Sequence, residues 1–232
     1  MVTPRTAPLE SPDIRAMFDR IAPTYDMLNR AMSGGLDRRW RARAVRELRG
    51  APEGPVLDLC AGTLDFSAIL IRTHRVIAVD FSAEMLAAGR AKAKGVETVV
   101  ADAKDLPFET GTFGAAVCGF GVRNVSDLST ALAEVRRVLR PGGVFVTLDF
   151  FRPTRLATRA FHAAFEKWAP ALGGALACDR EAYAYLARSI VHFSTRIEYE
   201  SLLRREGFVN VGGEDLTLGV ASIVRCERER AS

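Results

Sequence analysis

At 232 residues, 48% hydrophobic and 26% charged, the chain has a globular composition and the length of one large domain or one and a half, which excludes a disordered protein. No apolar run approaches the ~18 residues of a membrane span, and MVTPRTAPLESP lacks the apolar core of a secretion signal, so cytoplasm is the expected location. A net charge of +4 permits an anionic partner without demanding one, and Cys60, Cys118, Cys178 and Cys226 form no C-x-x-C pair, so no metal or disulfide framework is suggested.

In chain order, the first 12 residues are Pro-rich. Ile14, Met17, Phe18 and Ile21 then keep helical spacing until Pro23 stops the run. A second short helix is expected over Tyr25–Met32, ended by Gly34–Gly35. A third is expected over Asp37–Leu48 with Asp37 as N-cap. It carries Arg38, Arg39, Arg41, Arg43 and Arg46, with Arg49 just beyond. Such a run reads first as a solvated face and second as a contact for anionic lipid headgroups. Without interleaved aromatics it is a poor nucleic-acid signature, and no nucleic-acid partner is expected.

The stretch Val56–Asp80, VLDLCAGTLDFSAILIRTHRVIAVD, is the informative one. An apolar run ends at Leu59 and a small-residue turn follows. Helical spacing runs from Asp65 to Arg72, and a second apolar run ends in Asp80. Strand, turn, helix, strand and acid is how an open α/β sheet builds a nucleotide site, the acid taking a ribose hydroxyl pair about 20 residues on. A pyrophosphate needs three glycines in the turn, and only Gly62 stands there. Asp58 would repel a pyrophosphate but suits a cation, and S-adenosylmethionine carries a sulfonium and an ammonium and no phosphate. An ordinary strand-to-helix turn of an α/β enzyme remains the alternative at this point.

Further on, Ser82 is a plausible N-cap, a strand is expected over Glu97–Val100, and Asp102 follows it at the sheet edge, either as an acceptor for an adenine amino group or as an ordinary surface-turn residue. A strand over Phe113–Cys118 leads into Gly119–Phe120–Gly121–Val122–Arg123–Asn124–Val125. The next helix, Asp127–Leu139, is stopped by Arg140–Pro141–Gly142–Gly143, and the strand Val144–Phe151 follows. Residues 152–192 break the βα rhythm with Phe161, Phe165, Trp168, Tyr183 and Tyr185 in helical text around a Leu172–Gly173–Gly174 turn. Such aromatics read first as core; as an insert after the fifth strand they would also lie over the carboxyl edge of the sheet, where ligands bind. A last helix, Ile197–Glu206, precedes strand-like Val209–Gly213 and Leu218–Cys226.

With these residues in view, the chain resembles the ubiquinone/menaquinone C-methyltransferases, class I S-adenosylmethionine enzymes. The resemblance runs from about Phe18 to Arg225, and its most specific parts are Phe18–Arg41, FGVRNV (Phe120–Val125) and Leu139–Pro153, joined by Ala182–Ile190 and Gly207–Ser222. It implies a seven-stranded, mostly parallel sheet with the last strand antiparallel and helices on both faces. Residues 1–50 would form an N-terminal helical cap and 51–232 the cofactor-binding domain, with a substrate-side insert at 152–192. It implies cofactor contacts at Asp58, Gly62, Thr63, Asp80, Asp102, Ala103 and Gly119, and a polyprenylated quinol at Arg123, Asn124 and Tyr25.

The acceptor so implied is demethylmenaquinol or the ubiquinol precursor, met at a membrane surface because its tail stays in the bilayer. In this reading Arg123 stabilises the phenolate, Asn124 holds a water or the quinol oxygen, Tyr25 donates to the second oxygen, and His192 is a further candidate base. Two positions depart from the family pattern D-L-[small]-[small]-G-T-G-D. Leu64 replaces its second glycine, where a side chain is expected to resist a positive φ and crowd the ligand. Gly119 stands where a polar residue often contacts the cofactor. A methyltransferase of a secondary metabolite would share this framework. The missing glycines speak against a nicotinamide dehydrogenase.

Overall fold

The computed structural model describes residues 11–156, 158–160, 162–164 and 179–230. Its sheet has seven strands: β1 (Val56–Leu59), β2 (Val76–Asp80), β3 (Glu97–Val100), β4 (Phe113–Gly119), β5 (Leu139–Asp149), β6 (Phe208–Leu216) and β7 (Ala221–Arg228). They lie in the order β3-β2-β1-β4-β5-β7-β6. Strands β1 to β5 pair in parallel, and β7 runs antiparallel to both β5 and β6. This is the expected sheet.

Alternation along the strands feeds two apolar layers. Leu57, Leu59, Ile77, Val79 and Phe145 face α6 (Leu128–Val138) and α8 (Arg196–Arg205). Val56, Val76, Val117 and Val146 face α3 (Leu36–Arg46) and α4 (Asp65–Leu70). A third cluster joins α1 (Ser11–Ile21), through Ile14, Met17, Phe18 and Ile21, to Met85 of α5 (Ala83–Gly89) and to Ala182 and Leu186 of α7 (Arg180–His192). Between α1 and α3 lies α2 (Tyr25–Ser33). The expected Leu172–Gly174 turn, Phe161, Phe165, Trp168 and Cys178 lie outside the described residues.

Ser82 caps α5 as expected, accepting from Met85 N, and Asp127, expected as the first residue of its helix, is the N-cap of α6 and accepts from Thr130 N. Asp37 is not an N-cap. Helix α3 starts one residue earlier, after Gly35 in the left-handed region, and Asp37 instead accepts from Ser33 Oγ at 3.0 Å. Strand β5 also starts earlier than Val144. Leu139 already pairs with Phe113, and a register shift absorbs 140–143 before Val144 meets Ala115.

Leu64 corrects a second expectation. It does adopt φ 64°, yet its side chain is fully buried against Ala78, Leu86 and Ala93, away from the ligand side of the turn. Left-handed backbone costs about 1–2 kcal/mol, and burying a leucine contributes about 1.5–3 kcal/mol, enough to offset it. Gly89 makes the room, since a Cβ there would lie 2.7 Å from Leu64 Cγ and 2.4 Å from the Thr63 carbonyl. Leu64→Ala keeps the strain and loses the burial, so it is expected to cost about 2–5 kcal/mol in urea unfolding. Leu64→Gly should cost less than Leu64→Ala, because glycine accepts this φ freely. The reverse order would show that the strain argument is misplaced.

Candidate active site

The carboxyl ends of β1, β2 and β4 meet the Cys60–Leu64 turn, in which Cys60, Gly62 and Leu64 all have positive φ. That conformation aims backbone N–H groups across the edge of the sheet. Gly62 N donates to Asp80 Oδ2 at 2.8 Å and Ser82 N to Asp80 Oδ1 at 2.9 Å, so both Asp80 oxygens are held by main chain. Asp58 Oδ2 accepts from Ser67 N at 2.9 Å and Ser67 Oγ at 2.6 Å, fixing the first turn of α4 to β1. The pocket above these residues opens to solvent and is lined by apolar and polar groups together, among them Phe18, Asp58, Asp80 and Phe120.

The N-terminal helices close over it through charge. Asp19 of α1 accepts from Ser82 Oγ, and Asp26 of α2 accepts from Thr63 Oγ1 at 2.5 Å. Lys92 Nζ bridges Asp26 and Asp65 at 2.5 and 2.7 Å. Phe18 and Phe81 pack edge-on, their centroids 6.2 Å apart.

Of the residues singled out in the sequence, Tyr25, Asp58, Gly62, Thr63, Asp80, Asp102, Ala103, Gly119 and Asn124 all line this pocket. Asp102 is the loosest of them, its side chain 47% exposed and paired with Lys104 at 3.6 Å. Tyr25 has its hydroxyl pKa raised by burial, opposed by Asn29, Arg123 and Arg41. Arg123 stands behind the pocket wall. It is 5% exposed, with Nη1 donating to Asp149 Oδ1 at 2.5 Å and to the Phe120 carbonyl at 2.8 Å, and Nε to Ser189 Oγ at 3.2 Å. Next to it, Asn124 lies in the 3-10 turn Val122–Asn124, its Oδ1 buried and without a donor among the described residues. His192 is exposed at the end of α7, its Nδ1 on the Arg188 carbonyl, and is no base for this site.

The arginine run of α3 is not a uniform solvated face. Arg41 turns inward, 6% exposed, and lines the pocket, while Arg43 pairs with Glu47 and Glu214. A signal for this was present. Arg41, Ala44 and Leu48 stand at i, i+3 and i+7, the spacing of one helix face.

The electrostatics favour a cation. Burial raises Asp58 to about 7 against the Ser67 bonds, and Asp80 to about 6 against its main-chain donors. The sulfonium and ammonium of S-adenosylmethionine fit such a pair, and the ribose hydroxyls fit an acid at the end of β2. A ligand that needs both carboxylates ionised must displace their protons. Its affinity is therefore expected to rise with pH up to about 7, by about tenfold per proton per unit below the upper pKa, with proton release seen by calorimetry in buffers of different ionisation enthalpy. Asp58→Asn should remove the upper step, whereas a flat profile would contradict the assignment. In the free protein the sign is opposite. Both pKa values are raised, so the stability these groups contribute is full below the ordinary 3.8 and is lost as pH rises through about 6 and 7.

Comparison with known proteins agrees with this geometry. The sequence model of the ubiE/COQ5 methyltransferase family matches residues 7–227. The chain is 38% identical to a ubiquinone/menaquinone biosynthesis C-methyltransferase UbiE of Geotalea daltonii, over 93% of this chain and 96% of the relative. It is 40% identical to the protein of that name from Syntrophotalea carbinolica, over 91% and 92%. Among solved structures, the fold is shared with a SAM-dependent methyltransferase of Thermotoga maritima (TM-score 0.68, 20% identity, 92% of this chain and 99% of that one). It is shared equally with the [4+2]-cyclase SpnF (TM-score 0.68, 15% identity, 95% and 97%), so the fold alone does not fix the reaction. The match over nearly the whole chain does: the protein is an S-adenosylmethionine-dependent methyltransferase and belongs to the ubiE/COQ5 methyltransferase family.

Proposed function

We propose that this protein methylates a ring carbon of a polyprenylated quinol, with demethylmenaquinol as acceptor. Its named relatives act in ubiquinone and menaquinone biosynthesis, and the observation that carries the reading is the Val122–Asn124 turn. That turn sets an anchored guanidinium, just behind the pocket wall, next to an amide oxygen of the pocket lining that has no donor among the described residues. S-adenosylmethionine supplies an electrophilic methyl group on a sulfonium. In this reading Asp80 holds the ribose hydroxyls, Asp102 and Ala103 meet the adenine, and Asp58, Gly62, Thr63 and Gly119 surround the methionine end.

The remaining work is to make the ring carbon nucleophilic. Asn124 Oδ1 accepts from a quinol hydroxyl and orients it. Arg123, permanently charged and therefore no base, stabilises the phenolate and polarises the water that takes the proton. Asp149 and Ser189 fix the guanidinium so that Nη2 remains for this contact. Tyr25 donates to the second oxygen. In this reading the N-terminal helices α1 and α2 cover the two reactants, whose alignment can supply about 7–11 kcal/mol of the barrier.

Among the described residues no helix is long and apolar enough to cross a membrane. The quinol tail brings the protein to the bilayer surface, where the exposed Arg38, Arg39, Arg46 and Arg49 face anionic headgroups. Replacing these four arginines by glutamine should abolish co-sedimentation with anionic vesicles; retention would remove this contact from the proposal.

Transfer of a labelled methyl group from S-adenosylmethionine into reduced demethylmenaquinone tests the reaction itself. Label in the ubiquinol precursor alone would exchange the acceptor. Label only in small aromatic acceptors would replace the reading with the secondary-metabolite one. Arg123→Met is expected to lower kcat by about 100-fold or more while cofactor affinity stays within about threefold. Normal turnover in that variant would remove Arg123 from the mechanism.

A further inference from the structure

The inward-turned Arg41 is incompletely partnered. Its guanidinium lies between two rings, 5.2 Å from the centroid of Phe66 and 5.1 Å from that of Phe120. Among the described residues its only acceptor is Asp65 Oδ2, at a long 3.3 Å, and Nε is buried with none. Asp65 is itself shared, since Lys92 holds its other oxygen at 2.7 Å. A buried cation is strongly disfavoured unless its charge and its donors are matched; Asp65 and Asp58 answer the charge, and the Nε donor is what is left unmatched among the described residues.

Gly119 explains how the side chain fits. A Cβ at that position would lie 2.7 Å from Arg41 Nη1 and 2.5 Å from Phe66 Cε2. The guanidinium with its ring neighbour stands in the space that any side chain at position 119 would take.

The strand order says which end of the pocket this is. Asp80 ends β2, and Asp102 follows β3 on one side of it. Asp58 on β1 and Gly119 on β4 lie on the other. With the ribose at Asp80 and the adenine toward β3, the methionine end of the cofactor falls at β1 and β4, beside Arg41. That end carries one anion, a carboxylate.

We propose that Arg41 is the cationic contact for the carboxylate of the cofactor's methionine moiety, and that Gly119 is the vacancy that admits it. The inference rests on the cofactor assignment above. Asp65 orients the guanidinium through Nη2, and Nη1 and Nε remain for the ligand. Arg41 is thus a specificity residue: it separates the intact cofactor from one that keeps the sulfonium and ammonium but lacks the carboxylate.

Calorimetric titration of the full-length chain with S-adenosylmethionine and with its decarboxylated analogue, at one pH and ionic strength, isolates the contact. Wild type should prefer the carboxylated form by about 10–100-fold, the range of a charge-assisted hydrogen bond. In Arg41→Met that preference should collapse, with affinity for S-adenosylmethionine falling by the same factor and affinity for the analogue within about threefold of wild type. Arg41→Lys, which keeps the charge but not the fork, should fall between them. Gly119→Ser should weaken S-adenosylmethionine more than the analogue.

Equal weakening of both ligands in Arg41→Met and Arg41→Lys would show a merely structural role and overturn the proposal. So would an unchanged preference accompanied by lower methyl transfer, which would place Arg41 at the acceptor. Failure of wild type to bind either form would strike the cofactor assignment itself, a separate result.

Discussion

Three carboxylates buried at the ends of parallel strands set the problem that the rest of the structure answers. Asp58 on β1, Asp80 at the end of β2 and Asp149 at the end of β5 are 1%, 5% and 0% exposed. Each lies where a sheet presents its edge to a ligand, and each is held differently. Asp58 takes the first turn of α4, Asp80 takes main-chain N–H groups from two loops, and Asp149 takes a guanidinium. The hydrogen bonds that make burial tolerable also fix the loops, so the same acids shape the pocket and charge it.

The cap depends on those acids at one remove. The Cys60–Leu64 turn, pinned by Asp80, offers Thr63 to Asp26, and Lys92 joins Asp26 to Asp65. Apolar packing of Ile14, Met17 and Phe18 on Met85 and Leu186 gives the N-terminal helices their adhesion. The charged contacts give them their register. Two of these paired groups, Lys92 and Asp65, are 29% and 28% exposed, where ion pairs contribute little on their own. Position is therefore their main contribution.

Much of the fold was legible because local chemistry and global topology agree. Apolar runs marked β1 to β4, Ser82 and Asp127 announced two helices, and residues 56–80 displayed the nucleotide-binding turn. The failures have physical causes. Leu64 was misjudged because the cost of its backbone was visible in sequence and the burial that offsets it was not. Asp37 has the residue type of a cap, but Gly35, two residues earlier, sets the start of the helix. Arg41 was hidden in a run of arginines whose common charge masks the helix face each one occupies. Arg123 was found through its motif, but the carboxylate that holds it lies 26 residues on, on a strand whose apolar text gave no hint of pairing.

Trp40, the residue preceding Arg41, donates from Nε1 to Thr217 Oγ1 at 2.9 Å, and Arg225 Nε reaches the Glu47 carbonyl at 3.0 Å. The helix that aims an arginine into the pocket is thus fastened by the final hairpin, across sequence separations of 177 and 178 residues. During synthesis, a nascent chain that has released α3 and the first five strands still lacks the fastening for that helix. Contacts of such long sequence separation close only after the β6–β7 hairpin has been made, so the seating of that helix in the pocket wall depends on the hairpin. Ligand capture would then report that the polypeptide has been translated through to its last pair of strands.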